Sequence, residues 1–173
     1  MNLSDSKLIA AGRETVWQAL LSSEVLQDCV PGCKEMSGSP EEGFEATVVQ
    51  KVGPVKATFK GAVTLSDRVE GESLTLTGEG KGGAAGFAKG WANVTLTEEE
   101  GGTRLSYDVE AKVGGKLAQL GSRIIDGFAK KMADQFFENF RDVVEGPSEE
   151  TEDASDDTEP QKKGWFRKMV SSS

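Results

Sequence analysis

The segment Lys116–Val144, KLAQLGSRIIDGFAKKMADQFFENFRDVV, decides how the rest of the chain is read. Leu117, Leu120, Ile124, Phe128, Met132, Phe136 and Phe140 recur every three or four residues, which is the period of an α-helix. Arg123, Asp126, Lys130, Asp134, Glu138 and Arg141 fall on the opposite side. At ~1.5 Å per residue such a helix spans roughly 43 Å. One apolar stripe of that length needs a broad apolar surface to lie on. Two glycines interrupt the segment. Gly121 and Gly127 would each cost about 1 kcal/mol relative to alanine in a helix interior. Gly121 falls inside the stripe, where a missing side chain either admits a close neighbour or leaves empty space.

The surface is supplied upstream. From Cys33 to Val113 the pattern is strand and turn, with period two. Phe44, Ala46, Val48 and Val52 alternate with Glu45, Thr47 and Lys51. Ala57, Phe59, Gly61, Val63 and Leu65 share one parity, as do Leu74, Leu76, Gly78 and Gly80. Gly86–Leu96 reads as a further strand, and Leu105, Tyr107, Val109, Ala111 and Val113 face inward on the last one. Turns fall at Gly53-Pro54, Glu70-Gly71-Glu72 and Glu98–Thr103, and Gly114-Gly115 breaks the sheet before the long helix. Ahead of this run, Lys7–Ala11 predicts a short strand. Val16, Trp17, Leu20 and Leu21 predict a first helix, and Ser22-Ser23-Glu24 caps a second, Val25–Cys29, before a turn at Pro31-Gly32. Strands joined by tight turns pair antiparallel, and a helix on one face of such a sheet is an α+β layer arrangement. The expected fold is therefore α+β: a curved antiparallel sheet wrapped around a long C-terminal helix, with two short helices after strand 1.

Composition narrows the chemistry. The 173 residues imply one domain. A formal net charge of −9 argues against a nucleic-acid partner. There is no histidine, which removes the commonest general base and the commonest metal ligand. Cys29 and Cys33 flank Val-Pro-Gly. Two thiols without further cysteine or histidine cannot complete a four-ligand zinc site, and a structural turn is the favoured reading over a metal or redox pair. Gly78-Glu-Gly-Lys-Gly-Gly83 spells a dinucleotide fingerprint, but strand rather than helix follows it. Paired acids such as Glu45 and Asp108 fall on outward parity, so no acid–base pair is assigned and the chain is not expected to be an enzyme. No metal site is expected. The N-terminus lacks a basic stretch leading into an apolar core, and no apolar run approaches ~20 residues. The expected location is cytoplasmic.

Composition shifts after Gly146. The expected organisation is a ligand-binding domain over residues 1–146, an acidic linker over 147–160 and a basic-aromatic tail over 161–173. The linker, PSEETEDASDDTEP, has no large apolar residue and cannot bury a core. In the tail, Lys162, Lys163, Arg167 and Lys168 surround Trp165, Phe166 and Met169. As a short helix this segment would put its apolar residues on one face, which suits the plane of a membrane interface. Each base near an anionic leaflet contributes ~1 kcal/mol, so the attachment would be reversible. Docking on a protein partner is the second reading.

Several words of the sequence resemble the CoxG family of carbon monoxide dehydrogenase subunits, within the START-like, or SRPBCC, helix-grip superfamily. They are Val16-Trp17, Cys29-Val-Pro-Gly-Cys33, Val52-Gly-Pro-Val-Lys-Ala-Thr-Phe-Lys-Gly61, Gly102-Thr-Arg-Leu-Ser-Tyr107, Gly114-Gly-Lys-Leu-Ala-Gln-Leu-Gly121 and Phe136-Phe137. The likeness covers about residues 1–144. Ala11-Gly12 departs from it, since the resemblance implies a proline-containing entry to the first helix. The resemblance implies a helix-grip fold, a hydrophobic ligand held between sheet and helix, and no catalytic residues. It also implies association with a molybdenum hydroxylase of the carbon monoxide dehydrogenase type, recruitment of that enzyme to the membrane, and handling of its quinone acceptor. No covalently bound cofactor is implied.

The strand parities offer a place for such a ligand. Gly78 and Gly80 on one strand and Ala88, Gly90 and Ala92 on the next are all small on the inward side. Facing small residues leave a void that a ligand fills, or they mark bulges and close docking of the helix. On the first reading the cavity residues are Phe59, Val63, Leu76, Gly78, Gly80, Ala88, Gly90, Ala92, Tyr107, Leu117, Leu120, Gly121, Ile124 and Phe128. Phe87 and Trp91 point outward by the same parity, as an exposed aromatic patch for a partner, unless a bulge near Gly86 turns them in. The function expected is a non-enzymatic quinone-binding accessory protein that serves such a hydroxylase as a peripheral protein on the inner face of the membrane. The alternative is a ligand-free, membrane-tethered assembly factor for the same enzyme.

Overall fold

The computed structural model describes residues 1–146; the expectations for the linker and tail lie outside the described residues. The chain runs β1 (Asn2–Ile9), α1 (Arg13–Leu20), α2 (Ser23–Cys29), β2 (Cys33–Ser39), β3 (Gly43–Val52), β4 (Val55–Val69), β5 (Ser73–Lys81), β6 (Phe87–Glu99), β7 (Gly102–Gly114), α3 (Lys116–Gln119) and α4 (Ser122–Glu145). The seven strands form one sheet in the order β1-β7-β6-β5-β4-β3-β2, and every neighbouring pair is antiparallel. The α+β helix-grip expectation holds: a meander of six strands is closed by β1 on β7, and α4 lies against β1, β3 and the two short helices.

Local chemistry sets the bends. Ser22 caps α2, its hydroxyl accepting from the Val25 N–H at 3.3 Å. The chain then turns at Gly32, whose φ is +79°. A side chain there would run into the carbonyl oxygen of Val49, so only glycine lets this turn close on β3. Gln27 fastens α2 to β2 by accepting from the Met36 N–H and donating to the Lys34 carbonyl, both at 3.2 Å.

Two expectations are corrected. β1 is longer than Lys7–Ala11 and starts at Asn2, pairing with β7 from Asn2↔Glu110 to Ile9↔Thr103. Its first half is polar because it is an edge strand, so no hydrophobic alternation announces it. The segment Lys116–Val144 is not one helix. Gly121, with φ +89°, separates α3 from α4 and stands just ahead of α4's first residue. The break resets the helical phase. Ile125 and Phe137, rather than Ile124, join Phe140 among the buried residues of α4, while Ile124 is exposed.

The core divides into two clusters. The larger holds Ile9, Val16, Trp17, Cys29, Leu74, Val94, Leu96, Leu105, Tyr107, Phe137 and Phe140. Tyr107 stacks on Phe137 at 5.0 Å, and Phe136 packs edge-on against Phe137 at 4.9 Å. The smaller cluster, under the start of α4, holds Val52, Leu117 and Ile125, with Phe59, Val113, Leu120 and Phe128 packed around them. Polar contacts hold α4 at its margins. Asn139 Nδ2 donates to the Cys29 carbonyl at 2.9 Å, Glu145 accepts from the Ala10 N–H at 2.8 Å, and Lys7 Nζ reaches Asp134 at 3.2 Å.

Phe140 is fully buried. Phe140→Ala should cost about 3–5 kcal/mol, the usual loss for a core aromatic, measured by urea unfolding. Asp142 gives a pH-dependent case. Burial pushes its carboxyl above the usual range, and Glu138 and Glu145 add to the shift. It also stands in the last turn of α4, which contains no base and where a negative charge opposes the helix dipole. A raised folded-state pKa means the charged form is disfavoured by folding at neutral pH, and the penalty is relieved as pH falls through that pKa. Asp142→Asn should therefore raise the thermal midpoint at neutral pH, and the gain should disappear on acidification below the carboxyl's raised pKa.

Candidate functional site

The register aligns the small residues across four strands. Gly61 of β4 pairs with Gly80 of β5, and Gly80 with Ala88 of β6. In the next inward row Val63 pairs with Gly78, Gly78 with Gly90 and Gly90 with Ala111. Leu76 opposes Ala92, and Ala92 opposes Val109. The concave face therefore has a band of small side chains between the two apolar clusters, and α4 bridges it from one cluster to the other.

An apolar cavity of about 340 Å³ lies between the sheet and the helices. Its walls are Leu20, Leu26 and Val30 from α1, α2 and the end of α2; Met36, Phe44, Ala46, Val48, Gly61, Val63, Leu74, Leu76, Val94 and Leu105 from the strands; and Phe136 and Phe137 from α4. The volume falls at the lower end of small-molecule sites, roughly 300–1,000 Å³. A shallower recess of about 280 Å³ shares Val63 and Leu76 with it and is bordered by Gly78, Ala88, Gly90, Ala92, Val109 and Ala111, with Lys89, Trp91 and Glu110 at its edge.

The glycines of this band do different jobs. A Cβ built on Gly80 meets nothing within 4 Å. On Gly78 it would touch Val63 Cγ2 at 3.2 Å. On Gly90 it would collide with the Glu110 carbonyl oxygen and lie 2.8 Å from Ala111 Cα. Gly90 thus serves the close approach of β6 and β7, whereas Gly80 faces open space. Both readings of the small residues apply, at different positions.

Of the expected cavity residues, Val63 and Leu76 line the cavity, and with Gly78, Ala88, Gly90 and Ala92 they line the recess. Gly80 sits in register between Gly61 and Ala88. Tyr107 is buried in the larger cluster against Phe137, and Phe59, Leu117, Leu120 and Phe128 pack in the smaller one. Gly121 and Ile124 are exposed and are corrected: the break before α4 turns them away from the interior, and Ile124 rests beside Gly53 of the β3–β4 turn. The sequence reading missed the wall formed by Leu20, Leu26, Val30, Met36, Phe44, Ala46, Val48 and Phe136. Phe44, Ala46 and Val48 carry inward parity, which is a signal, but nothing local to α2 says that its apolar side faces β2–β4 across a gap.

Polar chemistry stays outside the cavity, whose walls carry no ionisable side chain. The Cys29 thiol is pushed up to about 12 by burial, with Asp28 and Asp142 adding to the effect. Burial also raises Cys33, whose Sγ donates to the Glu35 carbonyl at 3.3 Å. A thiol held protonated is a poor nucleophile and a poor metal ligand. Both cysteines are unpaired, and no group of three or more Cys, Asp or Glu suited to a metal occurs among the described residues. Burial pushes the Tyr107 hydroxyl above its usual range, with Asp5 adding to it. Phe87 and Trp91 are exposed, at 39% and 43%, and face outward. Gly114 leaves room for the Phe87 ring, which a side chain at that position would strike. The membrane-binding residues expected in the tail, Lys162, Lys163, Trp165, Phe166, Arg167, Lys168 and Met169, lie outside the described residues. Among the described residues, no helix is long and apolar enough to cross a membrane.

The family model for the CoxG subunit of carbon monoxide dehydrogenase matches residues 6–145. No curated protein matches the sequence significantly. Among solved structures, a conserved protein from Geobacillus kaustophilus superposes with a TM-score of 0.78 at 27% identity, covering 84% of this chain and 95% of its own. A protein from Chromobacterium violaceum gives 0.62 at 18% identity, covering 84% and 98%. A START superfamily protein from Mycobacterium smegmatis gives 0.62 at 16% identity, covering 83% and 97%. The fold is thus the START-like helix-grip fold.

Two glycine substitutions separate open space from backbone strain. Gly80→Val should be tolerated or stabilising by up to ~1 kcal/mol, since it adds a strand-favouring side chain in free space. Gly121→Val should lose about 1–3 kcal/mol, because φ +89° and ψ 159° belong to a region nearly restricted to glycine. Thermal midpoints of the two variants check the contrast.

Proposed function

The chain belongs to the CoxG family of carbon monoxide dehydrogenase subunits, and on that premise we propose that it is a ligand-binding accessory protein for a molybdenum hydroxylase of the carbon monoxide dehydrogenase type. The ligand proposed is an isoprenoid quinone, held between the sheet and α4. The observation that carries the reading is the 340 Å³ cavity walled by apolar side chains and Gly61. Such a site solvates a lipophilic ring and part of its chain and offers no proton donor or nucleophile of its own. The redox chemistry belongs to the quinone and to the partner enzyme. The basic-aromatic tail would bring the domain to the inner face of the membrane, where a lipophilic ligand exchanges with the bilayer.

The alternative is an assembly or recruitment factor that carries no ligand. Exposed Phe87 and Trp91 favour it, since aromatic residues standing clear of a sheet suit a protein interface.

Protein purified from its native host should release a quinone on organic extraction, detected by mass spectrometry. Gly61→Leu, which puts a side chain into the cavity wall at a position where a Cβ meets nothing closer than 3.7 Å, should lower the bound amount severalfold while leaving the thermal midpoint near that of the parent. Protein that carries no lipid from its host and binds no quinone in titration would sink the carrier reading and favour the assembly role.

A further inference from the structure

A helix C-terminus is the negative end of its dipole and favours a base. The last turns of α1, α2 and α4 contain none. Asp28 stands in the last turn of α2 instead, and Asp142 and Glu145 in that of α4. Glu24 lies one turn before Asp28, and Glu138 one turn before Asp142. Like charges at this spacing are themselves unfavourable. The two helices meet here. Asn139 Nδ2 donates to the Cys29 carbonyl at 2.9 Å, and Asp28 and Asp142 both act on the Cys29 thiol. The two acidic pairs therefore border one surface that runs across α2 and α4. All four side chains are exposed, and among the described residues none of them takes part in an ion pair.

Bases are scarce around this face. The chain has none between Arg13 and Lys34. Lys34, whose carbonyl Gln27 holds against α2, makes no ion pair with Glu24 or Asp28. Arg141 is the base beside Asp142, and Glu145 engages it at 3.6 Å. Lys7 and Lys130 are taken by Asp134. Val143, 45% exposed, adds an apolar spot one turn beyond Asn139.

We propose that the α2–α4 face docks the chain's own basic-aromatic segment, residues 161–173. α4 delivers the chain to this face: Gly146 follows its last turn, and Glu138 lies only about 12 Å back along the helix. Residues 147–161 can span up to roughly 55 Å, several times the distance needed to return. Lys162, Lys163, Arg167 and Lys168 bring four charges to Glu24, Asp28, Glu138 and Asp142. Trp165 and Phe166 bring apolar surface to Val143. The same two helices give Leu26 and Phe136 to the cavity wall, so the docked segment lies along the helical side of the cavity. A segment held here is withheld from a bilayer. That consequence rests on the membrane reading of the tail given above; the docking itself does not.

Limited digestion of the full chain with trypsin tests the docking. No lysine or arginine falls between Arg141 and Lys162, so cleavage within the tail is read separately by mass spectrometry. At low salt the parent should be cut there at least about fivefold more slowly than the variant Asp28→Asn/Glu138→Gln/Asp142→Asn. Raising sodium chloride to about 0.5 M should remove the difference. The variant relieves like-charge contacts, so its thermal midpoint should be unchanged or higher. The control Glu45→Gln/Glu79→Gln/Glu110→Gln, with the same change of charge on the convex face, should stay within about twofold of the parent. Equal cleavage of parent and variant overturns the proposal, whether the tail is open in both or held by the acids of residues 147–160 in both. An equal loss of protection in the control also overturns it, as does protection that rises with protein concentration, which assigns the tail to a second copy. Flotation with vesicles of phosphatidylcholine and phosphatidylglycerol reads the consequence separately. The variant should bind them more tightly than the parent; unchanged binding beside intact protection keeps the docking and removes the membrane reading of the tail.

Discussion

One helix cannot fill the hollow of a seven-stranded sheet, and the rest of the structure follows from that shortfall. α4 is anchored at both ends. Phe136, Phe137 and Phe140 meet Tyr107 and the α1–α2 pair at one end, and Ile125 and Phe128 meet Val52 and Leu117 at the other. Between these anchors the strands present glycine and alanine. A protein interior normally closes such gaps, because unfilled space forfeits dispersion contacts. Here the backbone of the sheet is too well bonded to collapse inward, so the gap persists as a cavity.

The distribution of polar groups supports the same division. The contacts that position α4, from Lys7, Asn139 and Glu145, lie along its margins. The cavity walls are left apolar, and the thiols near α2 are held protonated by burial. A site built this way stabilises a molecule by removing its surface from water, at about 25 cal/mol per Å² of apolar area. It discriminates by shape and by the absence of polar partners. The outside is organised differently: the turns at one end of the sheet hold carboxylates, and the convex face mixes lysines with Glu45, Glu79 and Glu110.

Much of this was legible beforehand. The period-two runs gave β3 to β7 and their inward faces, and the match of Gly78 and Gly80 with Ala88 and Gly90 is what the register shows. The stripe from Phe128 to Phe140 marked α4. Three things were not legible. The first half of β1 is polar, and only its pairing with β7 makes it a strand. Gly121 lies in an apolar periodic run, and nothing local distinguishes a glycine inside a helix from one that ends it. The α2 wall of the cavity depends on how far that helix stands from β2–β4, a distance no local pattern encodes.

The sequence by itself determined the elements and their faces, because side-chain alternation and helical period are properties of neighbouring residues. It also determined the absence of histidine chemistry and the acidic turns at one end of the sheet. The tertiary structure decided where space is left. Whether a small residue becomes a void, as at Gly80, or a seat for an adjoining backbone, as at Gly90, depends on what stands opposite it. The register between strands and the phase of α4 after Gly121 fix those opposing atoms. Both are set by packing between segments far apart in the chain.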